Sequence, residues 1–138
     1  MEKIDCTCFN LRRAARTAGR FYDAALAPIG LRNTQFSALA VLSQMGPTPI
    51  SQLAEVMAME RTTLTRNLKP LERDGLVEQS VGSDRRQRIV QLTCTGKSTF
   101  VKARVLWQQA NDSADEALGQ ARTKRLLADL KAATSRLS

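Results

Sequence analysis

The chain has no histidine and only three cysteines. Without histidine it lacks the commonest general base at neutral pH and a principal zinc ligand. Cys6, Cys8 and Cys94 are odd in number, which argues against a disulfide framework. Cys-x-Cys with no second pair cannot supply four ligands to a zinc ion. Also missing are a Gly-rich phosphate loop, a carboxylate pair at a strand end and a nucleophile elbow. The expectation is therefore a non-enzyme with no metal site and no cofactor. No run approaches the roughly 18 or more apolar residues of a membrane span. The opening MEKIDCTCFN is acidic and has no apolar centre, unlike a secretory signal, so no membrane association and a cytoplasmic location are expected. No repeat, low-complexity segment or long linker divides the 138 residues, which read as a single domain, 1–138.

What the sequence has in excess is positive charge. The 21 Lys and Arg against 13 Asp and Glu leave a net charge of +8, and the isoelectric point is near 10.1. Such a balance points to a polyanionic partner, most often nucleic acid. The excess is not confined to one segment. Residues 60–88 hold seven basic and five acidic residues, a net of +2.

Hydrophobic periodicity divides the chain into helices and one extended segment. Cys8, Leu11, Ala15, Ala18, Tyr22 and Ala25 follow 3-4-3-4-3 spacing, an apolar stripe on a helix over 8–27. Pro28 and Gly30 end it. Asn33 reads as the cap of a helix over 34–45, with Phe36, Leu39, Ala40 and Leu42 inward and Gly46 as its stop. GPTPI reads as an extended link. Ser51 reads as the cap of a third helix, QLAEVMAM, with Leu53, Ala54 and Val56 buried. In the fourth helix Leu64, Leu68 and Leu71 stand at i, i+4 and i+7. Pro70 should loosen its last turn, and Gly75 closes it. The period then changes. Leu76 and Val77 open a strand, Gly82-Ser83-Asp84 marks a turn, and Ile89, Val90 and Leu92 return. The tip of this hairpin carries Arg85, Arg86 and Arg88. A long helix from about 96 bears Phe100, Ala103, Trp107, Ala110, Ala114 and Ala117 at 3-4 spacing. Gly119 interrupts, and Leu126, Leu127, Leu130 and Leu137 mark a last helix.

The stretch ERTTLTRNLKPLERDGLV carries the functional signal. Its leucines share one helical face. Arg61, Thr62, Thr65, Arg66 and Lys69 share the other, and Thr63 stands beside them near the helix start. Two short helices joined by a tight turn, the second basic outside, make a helix-turn-helix whose second helix fits the major groove. Arginine can pair with guanine through two hydrogen bonds, and threonine can touch a thymine methyl or a phosphate. An arginine-tipped hairpin directly after it suits the adjacent minor groove. The fold class expected is mostly α with a small β-hairpin wing. The DNA-binding lobe spans 34–94, and the helices of 8–30 and 96–138 form a dimerisation region. Three apolar stripes outside the lobe exceed what so short a chain can bury alone, so they are expected to cover each other across a two-fold axis.

SDRRQRIVQLTCTG resembles the wing signature of the MarR family of bacterial transcription regulators: Asp84-x-Arg86, then Leu92-Thr93-x-x-Gly96. RTTLTRNLKPLERDGLV resembles that family's recognition helix, and ISQLAEVM the helix before it. The resemblance covers about residues 8–135. It implies a winged-helix homodimer, a pseudo-palindromic double-stranded DNA operator, and release by a ligand or by oxidation, most often as a repressor. Arg86 matches the wing arginine that enters the minor groove, with Arg85 beside it. Asp84 matches the acidic residue that braces the wing through nearby basic groups. Ser51 and the outer residues of 61–69 match phosphate and base contacts.

Two inputs are implied. CFNLRRAARTAGRFY resembles the start of the peroxide-sensing OhrR branch, with Cys8-Phe9 and Tyr22 in place and Asn33 near the position of a second tyrosine. Fourteen helical residues separate Cys8 from Tyr22 by roughly 21 Å, so the two could meet only across a dimer. Cysteine on an apolar stripe is otherwise a small buried hydrophobe, and Cys94, at a strand end, reads as structural. The second input is a small aromatic or organic acid, for which Arg12, Arg13, Arg16 and Trp107 are candidate lining residues. The rival reading from another class is a winged helix that binds a protein and not DNA. An acidic or apolar outer face on the fourth helix would favour it, and the face is basic.

Overall fold

A computed structural model describes residues 4–138. The elements run α1 (Thr7–Leu26), a 3-10 turn (Ala27–Ile29), α2 (Asn33–Met45), β1 (Thr48–Pro49), α3 (Ile50–Val56), α4 (Arg61–Arg73), β2 (Val77–Val81), β3 (Arg88–Leu92), α5 (Cys94–Leu118) and α6 (Gln120–Arg136). The expected mostly helical architecture with a hairpin wing is present. The hairpin belongs to a three-stranded antiparallel sheet in the order β1-β3-β2. β1 is a two-residue edge strand pairing Thr48 with Val90 and Pro49 with Ile89. It lies in the segment read as a plain link. A strand this short has no period, and proline is tolerated there because an edge strand need not donate every ladder bond. Thr48 is buried, and its hydroxyl donates to the Gly46 carbonyl at 2.8 Å.

The core lies inside the lobe. Leu39 and Leu42 of α2, Leu53 of α3, Leu64, Leu68 and Leu71 of α4, and Val90 of β3 are essentially inaccessible to water. Burying a leucine side chain is worth about 1.5–3 kcal/mol, so these positions dominate the lobe's stability. Two core expectations are corrected. Val56 is 53% exposed, because α3 ends there and its last turn faces out. On α2, Ala38 is buried and Ala40 only partly so.

Both expected helix caps fall elsewhere. Asn33 is the first residue inside α2, and its amide nitrogen donates to Asp23 Oδ1 at 2.8 Å. The Asn33 backbone N–H reaches the same oxygen at 2.7 Å, so this residue ties α2 back to α1. The two hydrogen bonds hold the Asp23 carboxyl below its ordinary range, the backbone bond foremost. Ser51 is likewise inside α3, which starts at Ile50 after Pro49 and has no side-chain cap. α4 continues through Pro70 to Arg73, and the chain turns at Gly75, whose φ of 73° suits glycine.

One junction joins the lobe to the long helix. The Thr93 hydroxyl donates to the Gly75 carbonyl at 2.5 Å and accepts from the Gly96 N–H at 2.9 Å. The Thr93 N–H donates to the Leu76 carbonyl at 3.1 Å. Gly96 sits so close to Leu76 that a methyl group would overlap the Leu76 carbonyl. Backbone on both sides leaves no flexible atom to yield. Gly96→Ala is therefore expected to destabilise the protein by about 1–3 kcal/mol, the range of core overpacking. Denaturant unfolding checks this, and an unchanged midpoint would refute the close approach.

Candidate nucleic-acid interface

α3 and α4 are joined by a turn built on backbone bonds. Met57 N–H donates to Leu53 O, Ala58 N–H to Glu55 O and Met59 N–H to Ala54 O, at 2.9–3.0 Å. Ala58 has a φ of 50°, the only positive φ at a non-glycine residue among those described. Asn67 of α4 donates to the Met59 sulfur at 3.5 Å, a tether that the periodicity of the sequence does not show. With Leu64, Leu68 and Leu71 clamped inside, the opposite face of α4 is fixed outward. Arg61, Thr62, Thr63, Arg66 and Lys69 are exposed there. Thr65 is half-buried, and its hydroxyl donates to the Arg61 carbonyl at 2.9 Å. It therefore presents its methyl group and a lone pair, with its proton already engaged.

The wing is braced differently from the expectation. Asp84 accepts from the Arg86 backbone N–H at 3.0 Å. Its carbonyl accepts from Gln87 N–H, and Gly82 N–H donates to the Gln87 carbonyl, both at 2.8 Å. Asp84 thus shapes the tip through backbone hydrogen bonds, an Asx-type turn. The single ion pair among the described residues is Arg73 with Asp74. The consequence is that Arg85, Arg86 and Arg88 are exposed with no carboxylate partner.

Tertiary folding brings much of this together. A cleft of about 260 Å³ is lined by Ile50, Ser51, Arg61, Asp84, Arg86, Gln87 and Arg88. The first turns of α3 and α4 and the wing tip thereby share one surface, although 37 residues of sequence separate its ends, Ile50 and Arg88 being 38 apart by number. Thr62, Thr63, Thr65, Arg66, Lys69 and Arg85 do not line the cleft; they lie on the outer face of α4 and at the wing tip. Gln87 and Ile50 were not singled out by the sequence. Gln87 carries no charge, and only its place in the wing turn reveals it.

The expected sensing residues are scattered. Cys6 and Cys8 are exposed at the start of α1. Tyr22 is half-buried and its hydroxyl donates to Asn111 Oδ1 of α5 at 2.9 Å. Burial raises the Tyr22 phenol above its ordinary pKa, and the Asp115 charge adds to the effect. Arg12 and Arg16 are exposed on α1, and Arg13 lies over the Phe9 ring at 5.6 Å. Trp107 packs instead against the lobe, stacked on Phe36 with centroids 5.8 Å apart. Cys94, read as a strand-end residue, is the first residue of α5 and is exposed.

The comparisons with known proteins agree with this geometry. The profile of the MarR family matches residues 31–87. The uncharacterised HTH-type transcriptional regulator YwoH of Bacillus subtilis (strain 168) is 30% identical over 95 residues, 69% of each chain. The crystal structure of the M. tuberculosis transcriptional regulator MosR in complex with DNA is 42% identical, with a TM-score of 0.84 over 96% of this chain and 98% of that one. The transcriptional repressor CouR bound to a 23-mer DNA duplex is 28% identical, with a TM-score of 0.83 over 93% and 92% of the two chains. No helix among the described residues is long and apolar enough to cross a membrane.

The turn between α3 and α4 is open to test. An L-residue in the left-handed region is strained by about 1–2 kcal/mol, which glycine relieves. Ala58→Gly is expected to keep or raise the unfolding midpoint, and Ala58→Val to lower it. The reverse order in thermal melts would show that Ala58 is held by side-chain packing.

Proposed function

This chain belongs to the MarR family of transcriptional regulators, and on that premise we propose that it is a repressor that binds a pseudo-palindromic double-stranded DNA operator as a homodimer and is released by a small organic anion. One observation carries the reading: Ser51, Arg61 and Arg86 meet in a single cleft beside the exposed basic face of α4. α4 enters the major groove, where Arg61, Thr62, Thr63, Thr65, Arg66 and Lys69 reach bases and phosphates. Ser51 and the first turn of α4 meet phosphate through hydroxyl and backbone N–H groups. Arg85 and Arg86 carry the wing to the minor groove, with Asp84 setting its shape. The DNA complexes of MosR and CouR support a duplex partner, and the repressor named in the second supports repression. A chromosomal target places the protein in the cytoplasm.

The exposed apolar surface of the terminal helices supports the dimer. α6 has no buried residue, and Leu126, Leu127, Leu130 and Leu137 are 38–75% exposed. A second copy would cover these leucines and the exposed part of the α1 stripe. The two α4 helices would then address half-sites about one DNA turn, roughly 34 Å, apart. The lobe is residues 34–94, and the dimerisation region 8–30 and 96–138.

A second reading of the release step rests on the exposure of Cys6 and Cys8 in the first turn of α1. A reachable thiol there can be oxidised to sulfenic acid by peroxide, adding polar bulk next to the apolar stripe.

Gel shifts with the DNA upstream of the protein's own reading frame test the central proposal. Binding of one dimer per palindrome is expected; failure to shift any such fragment would favour the protein-interaction reading. In the same assay Arg86→Ala is expected to weaken binding and flatten the salt slope by about one unit per lost phosphate contact. Arg66→Ala is expected to cost about 1–3 kcal/mol on the operator and less on random DNA. An equal loss on both would make Arg66 a phosphate anchor. For the thiol reading, organic hydroperoxide should release the wild type but not Cys8→Ser, and reductant should restore binding. Equal responses of the two proteins would leave only the organic anion as the input.

A further inference from the structure

The largest cavity described lies away from the DNA-facing cleft and from the arginines of α1. It has a volume of about 600 Å³ and is walled by the end of α2 and the chain after it (Leu42, Ser43, Gly46, Pro47), by Gln91 and Leu92 of β3, and by one face of α5. That face consists of Lys97, Phe100, Val101 and Arg104. These stand at i, i+3, i+4 and i+7, so they form a single column, with Lys97 and Arg104 roughly 10 Å apart.

Each part of this groove has a definite chemistry. Phe100, Val101, Leu42, Leu92 and Pro47 make an apolar floor and walls. Phe100 is anchored from behind by stacking on Phe36, with centroids 5.5 Å apart, so the floor is preformed. Val101 is 65% exposed, an apolar side chain facing open space. Lys97 and Arg104 stand at the two ends, and neither has a carboxylate within ion-pairing distance among the described residues. The Gln91 amide is held in place by donating to Glu78 Oε1 at 2.9 Å. An apolar slot of this size with a few placed polar groups is the usual form of a small-molecule site. Two cations without anions select for negative charge, and a guanidinium pairs with a carboxylate or sulfonate through two parallel bonds.

We propose that this groove between α2, β3 and α5 is the binding site for an amphipathic organic anion, its acid group on Arg104 and its ring or branched body on Phe100 and Val101 towards Lys97. The site deepens the effector reading and its regulatory part rests on that reading. It moves the anion from Arg12, Arg16 and Trp107 to the column on α5. The location also couples to DNA binding. One wall is β3, which runs directly from the wing, and the other is α5, which belongs to the scaffold. An occupant that wedges these walls apart tilts the lobe against the dimer helices.

The test uses the full-length protein and 8-anilinonaphthalene-1-sulfonate, an aromatic sulfonate whose fluorescence rises in apolar sites, with 2-naphthoate and uncharged 2-naphthalenemethanol as competitors. Saturable binding at one site per chain is expected, displaced by naphthoate and at least about tenfold less well by the alcohol, the order of one charge-assisted contact. Arg104→Gln should weaken binding about tenfold, and Val101→Trp should fill the groove and abolish the saturable site. Both residues are exposed, so the fold should survive, which circular dichroism checks. Arg12→Gln and Arg16→Gln should bind the probe as the wild type does. Binding unaffected by Arg104→Gln and Val101→Trp, or lost in the α1 variants, overturns the assignment. Adding naphthoate to operator gel shifts separates the two layers. Release in wild type but not in Arg104→Gln supports site and regulation together. Probe binding with the expected mutant pattern but no release keeps the site and removes the effector reading.

Discussion

The close backbone contact between the start of α5 and the end of the recognition unit governs the rest of the structure. Thr93 bonds to Gly75 and Leu76, and Gly96 leaves room for the Leu76 carbonyl. Three constraints meet within a few ångströms: the stop of α4, the first pair of the hairpin, where Val77 faces Leu92, and the N-terminal cap of the scaffold helix. The direction of α4 relative to α5 follows from this contact. In a dimer built on α5, the spacing between two recognition helices would follow as well. Operator geometry is in this sense encoded in a threonine and a glycine that touch no DNA.

On α4 itself the two functions are divided by face. Three leucines with almost no exposed surface fix the helix rotation, and that rotation alone decides which side chains reach outward. Fixing the helix from behind leaves the basic face free of structural duties. Apart from the Thr65 hydroxyl, no outer side chain of α4 is engaged in a hydrogen bond within the fold. Long cations held only at their base keep their rotamer freedom and can adjust to the phosphates they meet. The wing uses the same economy of means. Asp84 organises the tip through backbone N–H groups and so leaves the arginine charges uncompensated, which is the condition for a favourable electrostatic contact with a polyanion.

The terminal helices show the opposite arrangement. Their apolar residues outnumber the partners a single chain provides, and the leucines of α6 stand open. α1 is fastened to the rest through polar contacts, Tyr22 with Asn111 and Asp23 with Asn33. Such directional bonds hold an orientation while leaving the apolar stripe available for another surface. The groove on α5 lies between these two regimes, with a rigid aromatic floor contributed by the lobe and mobile cations contributed by the scaffold.

The sequence by itself determined what depends on near neighbours. The four helices with 3-4 periodicity, the leucine face and basic face of α4, the stop at Gly75 and the hairpin with its arginine tip were all legible, because helical and strand periods are written in residues a few positions apart. The resemblance of the wing and recognition-helix motifs added the family. Only the tertiary structure decided what depends on distant partners. β1 exists because β3 offers it an edge. Asn33 gives up capping because Asp23 of α1 is within reach, and Trp107 turns to Phe36 and away from the α1 arginines. Cys94 lies on a helix because Thr93 caps it. The joining of Ser51 and Arg61 with Arg86, and of Leu42 with Arg104 around the second cavity, comes from packing between segments far apart in the chain, and no local pattern records which segments will meet.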